Sequence, residues 1–457
     1  MKLFTIHFFI LFTITVNGQY KFPGKEWREY TSPKECGFDI DKLERAKKQF
    51  DSLGAAAALI IYKGNILASW GETDRRFPVA SVRKSFLNAL IGIAVNNKQI
   101  DLNSTLSELG IDDIISLTQE EKKATVENLL SARSGIYSDA AYEVSGWKDL
   151  RPLRGSAKPG EQWFYSNWDF NTIGSIYEKA TRSSIFNSFK NQIADPLQME
   201  DFRLFDCSYL FEKEKSKYPA YLFKMSARDM ARFGLLFLNG GTWKNKKIIP
   251  ANWINRSFKK YTDFGVEKKY GYGREAGYGY LWWLNKIQGH DVFYAHGAGT
   301  QGIYLVPDLD LVFVFRSDMY NRNRQVNDPL DLELLKSIID AKTKKAIKSP
   351  KLKIKAWYHS DIDKIDTNNI INVENSLFRK FSNNQIGVIE IIQDQKQMIL
   401  KTRIASFNVF RKNNGDYWIE DINIPASFIS SGSGEKQGKA EFEFNGSGDI
   451  SKLIFYY

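Results

Sequence analysis

The chain has 457 residues, 43% of them hydrophobic and 26% charged, so it can bury the core of one large domain and a smaller one. Beyond residue 18 no apolar run approaches membrane-spanning length, which excludes an integral membrane segment in the mature chain. The formal net charge is +11, but residues 342–355 alone hold seven lysines and no acid. Such a run is typical of a solvated linker, the alternative being a patch that binds nucleic acid or an anionic surface.

The N-terminus has the organisation of a secretory signal peptide over residues 1–18. Lys2 precedes an apolar run over residues 3–16, and the small or polar Asn17 and Gly18 follow it. We therefore expect a cleaved signal peptide and a periplasmic or secreted mature protein. An uncleaved N-terminal anchor is the alternative.

The cysteine and histidine content gives little support for a metal site. Cys36 and Cys207 are the only cysteines, and the four histidines form no H-E-x-x-H motif. We predict neither a metal nor an organic cofactor. In an exported protein the two cysteines either pair or remain free, because two distant cysteines give no spacing signal.

The first predicted elements are a hairpin and a buried helix. Residues 55–72 form two β-rich runs around Lys63-Gly64-Asn65, where glycine accepts the positive φ of a tight turn. Between Phe86 and Val95 almost every residue is apolar, which is typical of a helix buried on all sides.

Further along the chain, residues 124–136 and 226–241 each begin near a serine or threonine and end in glycine, which predicts helices. Two apolar runs around Pro307-Asp308 predict a strand pair, and Asp328 and Pro329 predict the start of a closing helix. Strands first, helices in the middle, then strands and a terminal helix indicate an α+β domain on an antiparallel sheet.

The C-terminal part of the sequence has a different hydrophobic pattern. Short alternating runs over residues 370–457 are separated by Asn414-Gly415 and Asn445-Gly446, which predicts an all-β unit. The predicted organisation is therefore a signal peptide at 1–18, a main domain at 19–341, a basic linker at 342–369 and an all-β domain at 370–457.

Ser81 and Lys84 stand at the start of the buried helix as an S-x-x-K pair. Three residues apart on a helix, they lie on one face within contact distance, whereas Arg83 points away. The amide ends of the helix would stabilise an oxyanion forming near Ser81, and an apolar site favours a neutral lysine that accepts the serine proton. The spacing alone is weak evidence, because it recurs three times, at Ser145/Lys148, Ser257/Lys260 and Ser433/Lys436. An N-capping serine beside a solvated lysine is the alternative.

Two further motifs follow in order. Tyr165-Ser166-Asn167 is the only Y-x-N in the chain, and residues 296–302, HGAGTQG, lead into the strand pair at Pro307. With these three motifs the sequence resembles the class C β-lactamase and penicillin-recognising serine hydrolase family over roughly residues 50–340. That family includes D,D-carboxypeptidases, serine esterases, D-aminopeptidases and 6-aminohexanoate-dimer hydrolases. The resemblance implies a β-lactamase/D,D-peptidase-like α+β domain with a helical subdomain, and the C-terminal unit resembles the lipocalin-like β-domains often appended to such hydrolases.

The resemblance implies a role for each motif residue. Ser81 is expected to be the acylated nucleophile, Lys84 its proton acceptor, and Tyr165, with phenolate character, the proton shuttle to the leaving group. Asn167 is expected to orient the lysine and a substrate carbonyl. The backbone N–H groups of Ser81 and Gly299 are expected to form the oxyanion hole.

The third motif departs from the Lys-Thr-Gly of β-lactamases and D,D-peptidases, since it reads His296-Gly297-Ala298. Histidine is found here in esterase-like and amidase-like relatives, and glycine in place of threonine removes a hydroxyl donor. We therefore expect an exported serine hydrolase that acts on esters, amides or peptides rather than an efficient β-lactamase. The alternative is a catalytically weak, penicillin-binding-like protein that recognises cell-wall peptides.

The expected partner is a small-molecule ester, amide or peptide. An aromatic-rich segment at residues 270–283 precedes the third motif. It is either a stacking wall of the cleft or core packing, and it is too isolated to indicate nucleic acid binding.

Overall fold

The structure is a computed structural model that describes residues 22–143, 148–264, 276–317 and 330–355, together with the backbone of strands between residues 380 and 456. The predicted signal peptide lies outside the described residues, as do Asp328, Pro329 and the two C-terminal Asn-Gly turns. In the described part of the chain, no helix has both the length and the apolar character needed to cross a membrane.

The main domain combines helices with a large sheet. Its described α-helices are α1 Ile40–Ser52, α2 Arg83–Asn96, α3 Val126–Leu130, α4 Asn167–Thr181, α5 Ile185–Phe189, α6 Ala227–Leu238, α7 Ala251–Ser257 and α8 Leu330–Ala341. Its described strands are β1 Arg28–Tyr30, β2 Ala57–Tyr62, β3 Asn65–Gly71, β4 Phe77–Pro78, β5 Ser208–Leu210, β6 Ala220–Leu222, β7 Lys224–Met225, β8 Thr242–Trp243, β9 Lys246–Lys247, β10 Thr262–Asp263, β11 Gly277–Tyr278, β12 Trp283–Ile287, β13 His290–Gly297, β14 Gln301–Val306, β15 Leu311–Arg316 and β16 Leu352–Ile354.

The sheet has ten strands in the order β10-β11-β12-β13-β14-β15-β2-β3-β1-β16. The predicted α+β fold is confirmed, but the sheet is mixed rather than wholly antiparallel. The exception is β1, which lies parallel to β3, with Glu29 opposite Ile66. Strand β1 lies beyond β3 in the sheet, and β16 pairs with its other edge in the antiparallel sense.

The predicted local elements form for the expected reasons. Lys63 and Gly64 both adopt positive φ, 47° and 78°, and so close the β2–β3 hairpin. Thr125 caps α3 in a capping box, and the Ser226 side chain accepts a hydrogen bond from the Asp229 N–H at the start of α6.

Helix α2 lies at the centre of the domain. It packs against α4 and α5, which belong to the largely helical region between β4 and β5 and agree with the predicted helical subdomain. Its Phe86 ring also meets Phe233 of α6 at a centroid distance of 4.8 Å. Helix α6 in turn lies on the sheet so closely that a Cβ on Gly234 would come within 2.7 Å of Val312. Helix α2, which carries Lys84, is therefore held in place by helices on several sides.

The basic segment begins as part of the main domain. Residues 352–354 form the edge strand β16, and the N–H groups of Thr343 and Lys344 donate to the carbonyl of Gly37. Lys355 forms a 2.8 Å ion pair with Glu29 of β1. Of the basic run 342–355, residues 352–354 thus extend the sheet, and most of the other residues are exposed. Residues 356–369 lie outside the described residues, and the linker at 342–369 stays a prediction.

Cys36 and Cys207 are both buried and are not joined by a disulfide. Burial raises the pKa of the Cys36 thiol to about 12, so this cysteine is an inert core residue at neutral pH.

The backbone described after residue 379 is an antiparallel meander in chain order. Its strands are β17 Lys380–Asn383, β18 Gly387–Asp394, β19 Gln397–Lys401, β20 Ser406–Arg411, β21 Tyr417–Asp421, β22 Lys439–Phe444 and β23 Ile450–Tyr456. Strands are what the sequence predicts for this region. Its lipocalin-like character and its status as a separate domain remain predictions.

A buried arginine joins the main sheet to the segment that precedes Ser81. The guanidinium of Arg316, at the end of β15, donates to the carbonyls of Met225, Phe77 and Pro78 and to the side chain of Gln301. No carboxylate of the described residues pairs with it. Burial lowers its pKa to about 9, so it stays charged at neutral pH and makes charge-assisted hydrogen bonds.

We expect Arg316→Met to lower the free energy of unfolding by about 3 to 5 kcal/mol, because it orphans several buried carbonyls. Chemical denaturation measures this loss. The matched control is Arg256→Met, which removes a half-exposed ion pair with Glu127 and should cost at most about 1 kcal/mol. Equal losses in the two variants would contradict the anchoring role of Arg316.

Candidate active site

Ser81 lies in a one-turn 3-10 helix, Ala80–Val82, that runs directly into α2. Ala80 before it has a φ of 47°, a left-handed conformation that is uncommon for a residue with a Cβ. Ser81 is partly exposed, whereas Val79 and Val82 are fully buried. The strained turn thus presents one hydroxyl to solvent from an otherwise buried segment.

The side-chain amine of Lys84 connects the two other polar groups of the site. Its Nζ lies 2.7 Å from Ser81 Oγ and 2.8 Å from the Tyr165 hydroxyl. Lys84 is only 2% exposed, and no carboxylate of the described residues forms an ion pair with it. The alternative of a solvated first-turn lysine is therefore inconsistent with the structure. The N-cap of α2 is Val82, so Ser81 is not a helix cap either.

Burial lowers the pKa of Lys84 well below its usual range, and the neighbouring Arg83 charge lowers it further. The Nζ also lies over two aromatic rings, 4.5 Å from the Tyr165 centroid and 4.9 Å from that of Phe170. Lowering of the pKa favours a neutral amine, which can accept a proton from Ser81.

Arg83 is a site residue that the sequence did not reveal. Its side chain is fully buried. The guanidinium packs over the Tyr221 ring at 4.3 Å and donates to Asn171 Oδ1 at 3.3 Å. No carboxylate among the described residues neutralises it. Its charge therefore acts on Lys84 through a medium of low polarity.

Tyr165 precedes α4 and is enclosed by aromatic rings. It stacks on Trp283 at 5.5 Å and meets Phe170 edge-on at 4.9 Å. Trp283 belongs to the aromatic segment 270–283, so the described part of that segment both fills the core and holds Tyr165. Burial raises the pKa of Tyr165, which favours a protonated phenol over a phenolate in the resting site.

Asn167 is the first residue of α4, after the N-cap Ser166. Its Nδ2 donates to the carbonyl of Tyr142 at 2.7 Å. Its Oδ1 is buried and has no hydrogen-bond partner among the described residues. The amide is therefore held at one end and has an unused acceptor at the other.

The third motif lies at the C-terminal end of β13, against the turn that carries Ser81. A Cβ built on Gly297 would lie 2.5 Å from the Val79 carbonyl oxygen and 2.8 Å from Ser81 N. A threonine here would displace the nucleophile. Glycine in place of threonine thus reflects a close approach of the two backbones, in addition to the loss of a hydroxyl donor.

His296, one residue earlier, is 8% exposed and its Nε2 lies 3.4 Å from Asp331 Oδ2. Asp331 stands in the first turn of α8 and is 1% exposed. It follows His296 by 35 positions and belongs to no motif, so this pairing could not be predicted from the sequence.

Gly299 lies in the three-residue turn between β13 and β14 and adopts a φ of 71°. Its carbonyl accepts hydrogen bonds from Gln301 Nε2 and from the Ser317 hydroxyl. These bonds fix the turn next to the strand end that contacts Ser81 N.

The arrangement supplies the components of acyl transfer. A partly exposed hydroxyl contacts a buried amine with a lowered pKa, and that amine contacts a phenol. The third motif adds a rigid strand end and turn beside the nucleophile. Ser81 Oγ, Lys84 Nζ and the Tyr165 hydroxyl therefore form one connected set of polar groups, as a nucleophile with a base and a proton relay would require.

The model of the family described as beta-lactamase matches residues 40–336, more than half of the chain. The chain belongs to the beta-lactamase family. The predicted family is thereby confirmed, and with it the prediction of a serine hydrolase.

Known proteins agree with this assignment. Protein flp of Staphylococcus aureus strain N315 is 25% identical over 203 residues, which are 40% of this chain and 40% of that protein. The chain therefore spans about two fifths of the length of this curated relative.

Two solved structures show the same fold. One is a Bacillus anthracis protein named as a 6-aminohexanoate-dimer hydrolase, with a TM-score of 0.50, 20% identity and coverage of 64% of this chain and 80% of that one. The other is an octameric penicillin-binding protein homologue from Pyrococcus abyssi, with a TM-score of 0.51, 17% identity and coverage of 92% and 98%.

We expect Lys84→Met to reduce the rate of Ser81 acylation by roughly 10²- to 10⁴-fold, because the serine loses its proton acceptor.

The same variant tests the lowered pKa of Lys84 through the pH dependence of the free energy of unfolding. Between the folded pKa and the unfolded value of about 10.4, the unfolded state binds more protons, so the stability of the natural protein rises with pH.

The free energy of unfolding of Lys84→Met lacks this rise with pH. We therefore expect the variant to be more stable than the natural protein at pH 7, and the difference to shrink towards pH 10 in denaturant titrations. Ser81→Ala is the control, since it abolishes acylation and keeps the lysine. A parallel pH dependence for Lys84→Met and the natural protein would contradict a neutral Lys84.

We expect Gly297→Ala to lower kcat/KM by about 10- to 100-fold, since the new methyl group must push the Ser81 turn out of position. Gly24→Ala, whose Cβ would meet nothing closer than 4.0 Å, is the control and should leave kcat/KM unchanged. Full activity of Gly297→Ala would mean that the close approach of β13 is not required.

Proposed function

We propose that the protein is an exported hydrolase that cleaves ester, amide or peptide bonds through an acyl-enzyme on Ser81. The observation that carries this proposal is the position of Lys84 Nζ, buried between Ser81 Oγ and the Tyr165 hydroxyl at hydrogen-bond distance from both.

In the proposed acylation step, neutral Lys84 takes the proton of Ser81 as Oγ attacks the substrate carbonyl carbon. The carbonyl oxygen becomes an oxyanion, which the backbone N–H groups of Ser81 and Gly299 bind. Tyr165, protonated because burial raises its pKa, gives its proton to the leaving group and is reprotonated by Lys84. The tyrosine thus acts as a phenol that relays a proton, instead of starting as the phenolate expected from the resemblance.

In the deacylation step, a water molecule attacks the ester carbon of the acyl-enzyme. Its proton passes to the neutral Lys84 directly or through Tyr165, and the bond to Ser81 Oγ breaks. The serine oxygen then recovers a proton from the lysine, which restores the starting state. The unused Oδ1 of Asn167 is suited to accept a hydrogen bond from a substrate N–H or from Lys84.

The third motif favours esters and amides over β-lactams. Gly297 supplies no hydroxyl, and its contact with Ser81 N excludes a larger residue. The name of the Bacillus anthracis neighbour, a 6-aminohexanoate-dimer hydrolase, is consistent with a linear amide substrate. We propose export from the N-terminal sequence and an accessory role for the C-terminal strands.

We expect a fluorophosphonate probe to form an adduct on Ser81, detectable by mass spectrometry of the folded protein. Ser81→Ala should abolish the adduct, and Lys84→Met should slow it. Ser69→Ala, which alters a serine on β3, is the control and should be labelled like the natural protein. A folded protein that gives no adduct would instead support the alternative of a penicillin-binding-like protein with weak catalysis.

A substrate panel then ranks the activities. We expect p-nitrophenyl esters and D-amino-acid amides to be hydrolysed with a higher kcat/KM than nitrocefin. Faster turnover of nitrocefin would refute the inference from Gly297.

A further inference from the structure

A buried carboxylate faces the histidine of the third motif. Three hydrogen-bonding groups converge on Asp331. The Tyr304 hydroxyl donates to Oδ2, the Leu332 N–H donates to Oδ1 at 2.9 Å, and His296 Nε2 lies 3.4 Å from Oδ2. The Asp331 carboxylate is thus held by a phenol at one oxygen and by a backbone N–H at the other, with the imidazole beside it. Asp331 therefore places a negative charge directly against His296.

A stack of aromatic rings connects this cluster to the catalytic centre. Tyr165 stacks on Trp283 at 5.5 Å, Trp283 on Tyr294 at 6.4 Å, and Tyr294 on Tyr304 at 5.5 Å. Trp283, Tyr294 and Tyr304 occupy directly opposed positions of β12, β13 and β14, so they share one face of the sheet. His296 is two residues from Tyr294 on β13 and lies on that same face. The histidine thus belongs to the face that Tyr165 packs against.

The net charge of the His296–Asp331 pair follows from the groups around it. The groups described around His296 are Asp331 from α8, the Tyr304 phenol from β14 and the Tyr294 ring from its own strand. On the neighbouring turn lies Ser81, followed by Lys84 in α2. Whether His296 is protonated or neutral, its pair with Asp331 has a net charge of zero or −1. The third motif therefore never presents a net positive charge.

We propose that Asp331 is a specificity residue that cancels the positive charge of the third motif and directs the site to substrates without a carboxylate near the scissile bond. This inference rests on the proposed function, since it concerns the substrate class of the same site. Asp331 acts through His296 and does not itself contact the reacting atoms.

The test compares two esters that differ in one carboxylate, p-nitrophenyl hexanoate and the mono-p-nitrophenyl ester of adipic acid. Asp331→Asn keeps the size of the side chain and removes one negative charge from the pair, whether His296 is protonated or neutral. We expect the preference for the neutral ester, as a ratio of kcat/KM values, to fall roughly tenfold. The change should reside in the KM of the anionic ester.

Two matched variants separate charge from structural damage. Asp308→Asn disrupts an exposed His–Asp pair, in which His290 Nδ1 lies 2.5 Å from Asp308 Oδ2. His290 lies on β13, the strand that also carries His296. Tyr304→Phe removes a donor from Asp331 and leaves the charge. Both should retain the natural preference. An unchanged ratio in Asp331→Asn, or an equal shift in either matched variant, would overturn the proposal.

The experiment also distinguishes this inference from the proposed function. Ser81→Ala must abolish hydrolysis of both esters if the acyl-enzyme mechanism is correct. If both esters need Ser81 but the ratio does not respond to Asp331→Asn, only the role of Asp331 is refuted. If Ser81→Ala retains activity, the mechanism itself fails.

Discussion

The burial of Lys84 without a carboxylate partner is the constraint on which the site depends. Lys84 is 2% exposed and lies beside the buried Arg83, and both conditions favour the neutral form of its amine. A neutral amine can accept the proton of the Ser81 hydroxyl. An acidic neighbour would stabilise the ammonium form and remove the base. The apolar character of α2 is therefore part of the chemistry as well as of the core. The cost of burying this lysine is a loss of stability accepted at a functional site.

Residues of the large sheet fix the position of the segment around Ser81, which helix α2 alone does not fix. Arg316 fixes the segment before the nucleophile to the end of β15, and Gly297 brings the end of β13 into contact with the nucleophile turn. Two strands of one sheet thus contact the chain between Phe77 and Ser81. Helix α8 adds Asp331, which lies beside His296 of β13. Each of these contacts joins residues that are far apart in the chain.

Much of the fold followed from local patterns. The β2–β3 hairpin needed only glycine and lysine in left-handed conformations, and the caps at Thr125 and Ser226 marked helices that the structure contains. The parallel placement of β1 was not predictable, because it depends on where a short strand meets the sheet after folding. For the same reason the sequence does not predict β16, since its lysines are typical of a solvated segment and its pairing with β1 is non-local.

By itself the sequence determined the family and the identity of the three motifs, and it placed Ser81 and Lys84 one helical turn apart, where their side chains can meet. Only the tertiary structure decided the electrostatics around the pair. Burial favours the phenol form of Tyr165, the buried Arg83 acts on Lys84, and Asp331 neutralises the third motif. The physical reason is that desolvation and charge act through space, so they depend on which distant segments pack together.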